Sequence, residues 1–566
     1  MLQQSKPVQN VARAAVSAGL IGVGVVFLYV MFQATQVYEL ADARAMDQAQ
    51  LARNISRGQG FTTFLIRPLT LARAPQFVGH PDLVNAPLYP YFLAALFRGL
   101  GAVTRVAAWA SGIPFLLTVP LVYWLARRVF SRKVALLSVA AVASHLGLLT
   151  AASSGTHIGL LALLFTMLVV VLVLLQEADA RRGVWIAAAA ALCAALYLTD
   201  YLYLVVAVPT VVLVAGTARV RHRLPSVLVF ALVFGVLCSP WWVRNFMVTR
   251  SPFYTASWSE TIMGTRTHAG NTLYRDMNAT PDSLAQFLVH NPRELHEKAR
   301  DAALALTPAV FTVGGVVMTP FFLAATLIPL GHLALDRVRL VLYASLLLLA
   351  LGMLLLAPDT SRLLPTVPLI TIVAAAFFYQ LLDLRLRPLS EVHKHRWATA
   401  AVTVLLGCHA LPMVLQLTPG RVTEASQPAA LRRACQEINS LTRQYSGGLR
   451  PPDRDPVYTD LPWAVAWHAD RPAIWLPTTM VDVRRIEQQG GPVRWLVLTP
   501  QIVRAQEAEK AEAWVDLWRQ GMNEALVSTD WRVRQRMTGT GWLLLERIPE
   551  FASLDALDTG GVRSPR

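Results

Sequence analysis

The chain has 566 residues, of which 54% are hydrophobic and only 15% are charged. Because soluble domains carry about 25% charged residues, this composition excludes an ordinary soluble protein and is typical of an integral membrane protein. The formal net charge of +16 would suit nucleic acid. Much of that charge falls in short gaps between apolar segments, where basic residues set membrane orientation and meet anionic lipid phosphates. We therefore expect membrane lipids as partners, and no nucleic acid.

Long apolar segments recur along the chain and predict transmembrane helices. A helix needs ~20 mostly apolar residues to cross the hydrocarbon core, and on this criterion we predict about eleven such helices. The division between the fifth and the sixth segment is open. The segments lie near residues 16–38, 104–125, 134–151, 157–176, 184–199, 201–217, 226–243, 306–331, 338–357, 363–383 and 397–417.

Basic residues in alternate gaps predict the orientation of the chain. The gaps after the second, fourth, sixth, eighth and tenth segments contain Arg127, Arg128, Arg132, Lys133, Arg181, Arg182, Arg219, Arg221, Arg223, Arg337, Arg339, Arg385, Arg387, Lys394 and Arg396. Short loops rich in Lys and Arg stay in the cytoplasm. We therefore expect a cytoplasmic N-terminus, with the first segment retained as an anchor, and a C-terminal region on the outward side.

Three outward segments are too long to be simple connectors, and loops of that length usually carry function. We assign residues 1–420 to a transmembrane module that includes the outer loops 39–103 and 244–305. Residues 421–550 have a soluble composition, with short β-like runs between helical pieces. The last residues, 551–566, are expected to be disordered. The predicted fold class is a polytopic α-helical membrane protein with a small outward α/β domain at its C-terminus.

Acids and arginines gather at the outward ends of the predicted spans, and such residues are costly at membrane depth and tend to mark function. The candidates are Asp42, Asp47, Asp200, Arg244, Asp359 and Arg362, with His80, Tyr89 and His157 as further candidates on the same side. Structural alternatives stay open. Asp42 and Asp47 can cap or begin a helix, Asp200 can form a turn, His157 can start a helix, and the arginines can be interface anchors.

A lipid-linked phosphosugar needs both kinds of group. Arginines hold its phosphate through charge-assisted hydrogen bonds, while a carboxylate removes a proton from the acceptor hydroxyl. The four cysteines predict no disulfide framework, since three of them lie within predicted spans. No Cys/His cluster has the spacing of a zinc site, so no metal ligands are assigned.

Five short motifs on the outward side resemble the GT-C superfamily of membrane glycosyltransferases, which includes family-39 and lipid A aminoarabinose-transferase-like enzymes. Residues 45–54 (AMDQAQLARN) and 58–61 (GQGF) are similar to the first outer loop of that family, and 85–90 (NAPLYP) to its Pro-Pro-Leu-Tyr segment. Residues 240–245 (PWWVRN) resemble its Pro-Trp-x-x-Arg-Asn element, and 361–365 (SRLLP) its Arg-Tyr-Leu-Leu-Pro element. The resemblance covers about the first 420 residues.

The resemblance implies an inverting transfer from a polyprenyl-phosphate sugar to a lipid, glycan or protein acceptor on the periplasmic side of a bacterial inner membrane. Asp47 or Asp42 would then be the base, and Arg362 and Arg244 would hold the lipid phosphate. Some members use a divalent cation, and Asp200 or Asp359 could contribute to such a site. Two alternatives stay open: a non-catalytic carrier or flippase of polyprenyl-phosphate lipids, and a structural component of an envelope complex.

Overall fold

The computed structural model describes residues 5–36, 39–177, 181–328, 333–417, 426–445, 455–504, 512–523, 530–537 and 539–548. Two compact units are present, each assembled from three chain segments. The helical unit comprises Met1–Phe61, Asp82–Ile262 and Leu288–Ala429, and the sheet unit comprises Thr62–Pro81, Met263–Phe287 and Ala430–Arg566. The C-terminal residues 551–566, which we expect to be disordered, lie outside the described residues.

Helices account for most of the described chain. The α-helices are α1 (Ser5–Gln36), α2 (Ala43–Ser56), α3 (Pro68–Leu71), α4 (Leu88–Leu100), α5 (Thr104–Val129), α6 (Arg132–Ala143), α7 (Leu146–Ser153), α8 (Ile158–Glu177), α9 (Arg182–Thr199), α10 (Ala207–Thr217), α11 (Arg223–Thr249), α12 (Pro281–His290), α13 (Pro292–Thr312), α14 (Met318–Ala325), α15 (Leu333–Leu355), α16 (Val367–Leu386), α17 (Glu391–Leu417), α18 (Ser426–Tyr445), α19 (Pro462–Ala464), α20 (Met480–Gly490) and α21 (Glu512–Asn523). Short 3-10 helices cover Tyr201–Val206, Val220–His222, Ala256–Thr261, Thr272–Arg275 and Thr360–Thr366.

Among the described residues, seven helices are long and apolar enough to cross a membrane, and a bent pair of helices makes eight. The seven are Thr104–Val129, Ile158–Glu177, Arg182–Thr199, Val220–Thr249, Asp336–Leu355, Thr360–Leu386 and Glu391–Leu417. Two other predicted segments contain the shorter apolar helices Ile21–Gln36 and Tyr201–Thr217, and segment 306–331 is interrupted between α13 and α14. The mostly helical membrane fold is therefore confirmed, whereas the count of about eleven spans stays a prediction.

Two of the apolar segments are broken within their length. Helices α6 and α7 meet at an angle of 55°, and His145 caps α7 by accepting a hydrogen bond from the Leu148 N–H at 3.1 Å. Helices α13 and α14 are separated by a turn in which Gly315 has a φ of +88°, a conformation that favours glycine. Irregular backbone at membrane depth is tolerated where it is buried in protein or lines a cavity.

The first outer segment contains the helices α2 and α4. Asp42 is the N-cap of α2, because its Oδ1 accepts a hydrogen bond from the Ala45 N–H at 2.9 Å. Gly58 follows the helix with a φ of +79°, as expected after a helix C-terminus. The residues from Ala45 to Asn54 are all buried, so α2 is an internal helix of its unit.

A six-stranded mixed sheet organises the sheet unit. Its strands are β1 (Leu65–Ile66), β2 (Val457–Thr459), β3 (Ala473–Trp475), β4 (Trp495–Leu498), β5 (Trp531–Met537) and β6 (Trp542–Arg547). The order is β1-β3-β2-β4-β6-β5. Strands β1, β3, β2 and β4 are parallel to one another, and β6 pairs antiparallel with both β4 and β5. Ile486 of α20 and Trp514 of α21 join the apolar core of the sheet, as expected for strands covered by helices.

The predicted domain boundary at residues 420 and 421 differs from the division into compact units. The C-terminal region forms the sheet unit together with two segments of the outer loops, 62–81 and 263–287. The physical reason is strand pairing, because Leu65 and Ile66 lie beside Ala473 and Ile474 in a parallel ladder. A strand of two residues has no readable alternation of apolar and polar side chains, so the sequence could not reveal it.

Candidate functional site

A cavity of about 460 Å³ lies in the helical unit, and we call it the charged cavity. Its polar lining comes from residues far apart in the sequence, namely Arg44, Gln48, Asn85, His157, Asp200, Glu260 and Arg362. Apolar and aromatic side chains, including Leu202, Trp258 and Leu355, form other parts of the wall. Ligand sites usually combine an apolar wall with a few convergent polar groups. Because this cavity has both a charged part and an apolar part, a matching ligand would be amphiphilic.

Arg362 lies between two carboxylates in the charged cavity. Its Nε is 3.3 Å from Asp200 Oδ2, and its Nη2 is 3.7 Å from Glu260 Oε2. The 3-10 helix Thr360–Thr366 carries Arg362, and Tyr203 fixes the backbone there by donating its hydroxyl to the Arg362 carbonyl at 2.7 Å. All three charged side chains are largely buried, so the charges interact more strongly than they would in water.

Asp200 joins the arginine to a histidine. His157 Nε2 is 3.4 Å from Asp200 Oδ2, and Gln48 Nε2 lies 3.0 Å from His157 Nδ1 on the other side of the ring. Burial alone would raise the pKa of Asp200, but the Arg362 guanidinium and the hydrogen bond from His157 hold it well below its usual range. Asp200 is therefore a stable carboxylate and a weak proton acceptor.

Arg44 and Asp359 form a second ion pair near the charged cavity. Arg44 Nη1 is 2.9 Å from Asp359 Oδ2, and Asp359 Oδ1 accepts from the Ser361 N–H at 3.0 Å and from its hydroxyl at 2.6 Å. Burial alone would raise the pKa of Asp359, but Arg44 and Ser361 outweigh it and lower that pKa. Asp359 therefore caps the helix that carries Arg362 and orients Arg44, which lines the cavity.

The two aspartates of the first outer loop have different surroundings. Asp42 is exposed and caps α2. Asp47 is only 4% exposed, and its carboxylate accepts hydrogen bonds from Gln50 Nε2 at 3.2 Å and from Asn85 Nδ2 at 3.0 Å. Asn85 itself lines the charged cavity. Asp47 therefore contacts a residue of the cavity lining, although it does not line the cavity itself. Asp42 caps a helix, which is the structural alternative given for it above.

Arg244 does not line the charged cavity. Its guanidinium stacks over the rings of Trp241 and Phe61, at 4.8 and 5.3 Å from their centroids, and donates to the Asp82 carbonyl at 2.8 Å. It also donates to the neighbouring Asn245 side chain at 3.0 Å. These contacts join α11 to Phe61 and Asp82 of the first outer loop, and the role of Arg244 as a phosphate ligand stays a prediction.

Two further candidates are not among the residues that line the cavity. His80 belongs to the sheet unit, where its Nε2 is 2.8 Å from the Thr70 hydroxyl and burial lowers its pKa to about 4. Tyr89 is fully buried and donates its hydroxyl to the Gly155 carbonyl at 2.7 Å. Both residues are satisfied by packing contacts of their own units.

The sequence analysis missed Glu260, which lines the charged cavity. Lys298 fixes its backbone by donating to the carbonyls of Glu260, Thr261 and Leu355 at 2.5, 2.8 and 3.0 Å, and burial lowers the pKa of Lys298 to about 8. The polar and aromatic character of the segment around Glu260 was the available signal. Its contact with Arg362 spans about a hundred residues, which no local pattern reveals.

No group of three or more His, Cys, Asp or Glu side chains among the described residues is arranged to hold a metal ion. Asp200 and Asp359, the residues considered for a divalent cation, are engaged by Arg362 and Arg44. Within the described ranges, these two carboxylates are therefore not arranged as ligands of a cation.

Residues 80–243 match the family model of the dolichyl-phosphate-mannose-protein mannosyltransferases. No curated protein matches the chain significantly. Among solved structures, ArnT from Cupriavidus metallidurans bound to undecaprenyl phosphate is similar, with a TM-score of 0.55 and 15% identity over 94% of this chain and 98% of that one. The Archaeoglobus fulgidus oligosaccharyltransferase AglB, in complex with an inhibitory peptide and a dolichol-phosphate, also has a TM-score of 0.55, with 10% identity over 94% of this chain and 74% of that one.

At these identities the structural matches establish the fold alone, and the family match adds a sequence relation over one segment. The family resemblance inferred from the motifs is confirmed: the chain has the fold of the GT-C membrane glycosyltransferases, and its residues 80–243 match their mannosyltransferase family.

Proposed function

We propose that this protein transfers a sugar from a polyprenyl-phosphate-linked donor to an acceptor on the periplasmic side of a bacterial inner membrane. The acceptor is a lipid, a glycan or a protein. The observation that carries the proposal is the charged cavity, which places Arg362 beside Asp200 and Glu260 within the helical unit. The polyprenyl phosphate and dolichol-phosphate named with the structural neighbours support a donor of this kind.

Arg362 is the proposed ligand of the donor phosphate. Its distances to Asp200 and Glu260, 3.3 and 3.7 Å, exceed the ~2.7–2.9 Å of tight charge-assisted hydrogen bonds. A phosphate oxygen entering the cavity would form a shorter contact and draw the guanidinium toward it. As the bond to the sugar breaks, charge grows on this phosphate, and the fixed guanidinium stabilises that charge in a largely buried site.

Asp47 is the proposed base. Its carboxylate is buried and is held in place by hydrogen bonds from Gln50 and Asn85. A general base needs such a fixed orientation, because it must accept the proton of one particular hydroxyl. The acceptor oxygen gives its proton to the carboxylate and bonds to the anomeric carbon, while the bond from that carbon to the phosphate oxygen breaks. The electron pair leaves on the polyprenyl phosphate, and the anomeric configuration inverts.

Glu260 is the second candidate for the base, because it lines the charged cavity itself and Asp47 does not. Its carboxylate is 3.7 Å from the arginine proposed to meet the phosphate. In that arrangement Asp47 would orient Asn85, whose amide would then position the acceptor. The two assignments differ in which single substitution stops transfer.

The orientation proposed from the basic loops supports an outward reaction. Arg44, Asp200 and Arg362 lie at the ends of apolar segments, and the arginine-rich gaps lie at the opposite ends of those segments. With the proposed orientation, the charged cavity would lie at the periplasmic ends of the helices. The C-terminus would lie on the same side. The sheet unit would then be a periplasmic domain.

The proposal is tested by measuring release of polyprenyl phosphate from a polyprenyl-phosphate sugar by the purified full-length protein in lipid. Release by the wild type that the Asp42→Asn/Asp47→Asn variant loses would support a glycosyltransferase. Donor binding without release by either protein would favour the carrier or flippase. Absence of both binding and release, with a folded protein, would favour a structural component of the envelope.

A further inference from the structure

A second cavity of about 350 Å³ lies in the helical unit at the two breaks in the apolar segments. We call it the neutral cavity, because its lining contains no Lys, Arg, Asp or Glu. Exposed Thr312, Val316 and Cys408 stand at its mouth. His145 and His409, each 5% exposed, form the buried part of its wall. Histidines inside an apolar bundle call for a functional explanation, because apolar packing alone would not use them.

The hydrogen bonds of His145 fix the state of its ring. The Leu148 N–H donates to Nδ1 at 3.1 Å, so Nδ1 carries the lone pair and the neutral ring carries its proton on Nε2. That Nε2 is buried and has no hydrogen-bond partner among the described residues. The backbone carbonyl of Val313 also interacts with the imidazole. His145 thus contributes a buried N–H donor to the wall of the cavity.

His409 presents the complementary group. Its Nε2 is 3.0 Å from the Ala141 carbonyl, which can only accept, so Nε2 carries the proton and Nδ1 is an acceptor. Nδ1 is buried and has no partner within the described part of the chain. A Cβ at Gly315 would lie 2.7 Å from this Nδ1. Because glycine has no Cβ, space is left beside this acceptor at the break between α13 and α14.

A hydroxyl group matches this pair of histidines. Its oxygen accepts from His145 Nε2–H and its proton is donated to His409 Nδ1, with the two ring centroids 5.8 Å apart. A metal ion does not match, since a protonated Nε2 cannot be a ligand. An anionic head group does not match either, because the lining offers no cation. Apolar Leu146, Val313 and Leu364 would surround the rest of the ligand.

We propose that the neutral cavity binds a lipid alcohol, with its hydroxyl between His145 and His409 and its chain along the apolar wall. This site goes beyond the proposed transfer and does not depend on it. It is also next to the charged cavity in the fold, because Thr360, Ser361 and Leu364 of one 3-10 helix line the neutral cavity while Arg362 of the same helix lines the charged one.

Photolabelling tests the site directly. Purified full-length protein in detergent is labelled with hexadecanol that carries a diazirine in its chain, and labelled peptides are found by mass spectrometry. Unlabelled hexadecanol should compete about tenfold better than hexadecyl methyl ether, because the ether cannot donate to His409 and leaves a buried acceptor unpaired. Dioleoylglycerol and a free polyprenol, used as competitors in the same assay, distinguish a membrane lipid from a dephosphorylated carrier as the source of the hydroxyl.

A matched pair of variants locates the site. Cys408 and Val404 are both exposed and lie one turn apart on α17, but Cys408 lines the neutral cavity and Val404 does not. Cys408→Trp should reduce labelling near the histidines at least about fivefold, while Val404→Trp should leave it unchanged. Equal competition by the alcohol and the ether, stronger competition by hexadecyl phosphate, or equal labelling of the two variants would overturn the proposal.

Discussion

The two cavities of the helical unit differ in how their polar groups are satisfied. In the charged cavity, Arg362 faces Asp200 and Glu260, and Asp200 also meets His157. In the neutral cavity, two buried histidines keep one uncovered nitrogen each. A network of charges that is already balanced can be rearranged around an anionic group. A pair of uncovered neutral nitrogens instead selects for a single hydroxyl.

On our two proposals, one bundle holds sites for two chemical classes. The charged cavity suits a phosphate and its leaving-group charge, and the neutral cavity suits an uncharged alcohol. A single ligand bound in both cavities would contradict this difference, whereas substitutions that affect only one cavity would support it.

The largest effect is expected from Asp47→Asn. Loss of a positioned base should reduce transfer about 100-fold or more, while donor affinity and alcohol photolabelling stay unchanged. Turnover is measured as release of polyprenyl phosphate. Asp42→Asn is the matched control, since an exposed cap affects helix stability by ~1 kcal/mol or less. Normal turnover by Asp47→Asn together with loss in Glu260→Gln would transfer the role of base to Glu260.

Arg362→Ala should weaken donor binding about 10- to 100-fold, since the phosphate loses a charge-assisted contact. It should also lower stability, because Asp200 and Glu260 are left facing each other without the cation. Donor affinity is measured by equilibrium binding of a labelled polyprenyl-phosphate sugar. Arg362→Lys, which keeps the charge, should retain part of the affinity. Unchanged affinity in the folded alanine variant would remove Arg362 from the donor site.

Arg244→Ala should show the opposite pattern. The substitution removes a hydrogen bond to the Asp82 carbonyl and the stacking on Trp241 and Phe61, so the free energy of unfolding should fall by about 1–3 kcal/mol. Donor affinity should change less than about twofold. Thermal unfolding and donor binding are measured on the same preparation. A large loss of affinity at full stability would restore Arg244 as a phosphate ligand.

The last prediction concerns a buried acid of the sheet unit. Asp460 accepts from the Thr499 hydroxyl and N–H at 2.6 and 3.1 Å, and burial raises its pKa to about 7. The folded state therefore keeps a proton that the unfolded state has released above its ordinary pKa. Stability should fall as the pH rises from about 4 to 7, by about 4 kcal/mol at most. Asp460→Asn should flatten this part of the stability profile, and a profile unchanged by that variant would exclude Asp460 as its source.

Much of the fold could be predicted from the sequence, because it depends on local composition. Apolar length and the arginine-rich gaps indicated the helical unit, and Asp42 was recognised as a possible cap. The short β-like runs between residues 421 and 550 also predicted strands in that region, where β2, β3 and β4 lie. Their neighbour β1 was missed, since its two residues pair with a strand about 400 positions away.

Only part of the charged cavity could be predicted from the sequence. Asp200, His157 and Arg362 were selected as outward polar residues, and the structure brings them together. Glu260 and the hydrogen bond between Asn85 and Asp47 depend on contacts between distant segments, and the pairing of Arg44 with Asp359 does too. The two histidines of the neutral cavity carry no local signal either, because their function depends on which ring nitrogen is left uncovered.

The most direct measurement is a cryo-electron microscopy structure of the protein with polyprenyl phosphate in a lipid nanodisc. We predict phosphate density in the charged cavity within hydrogen-bonding distance of Arg362, with the polyprenyl chain leaving along its apolar wall. Phosphate density in the neutral cavity, or beside Arg244, would contradict the division of ligands between the two cavities.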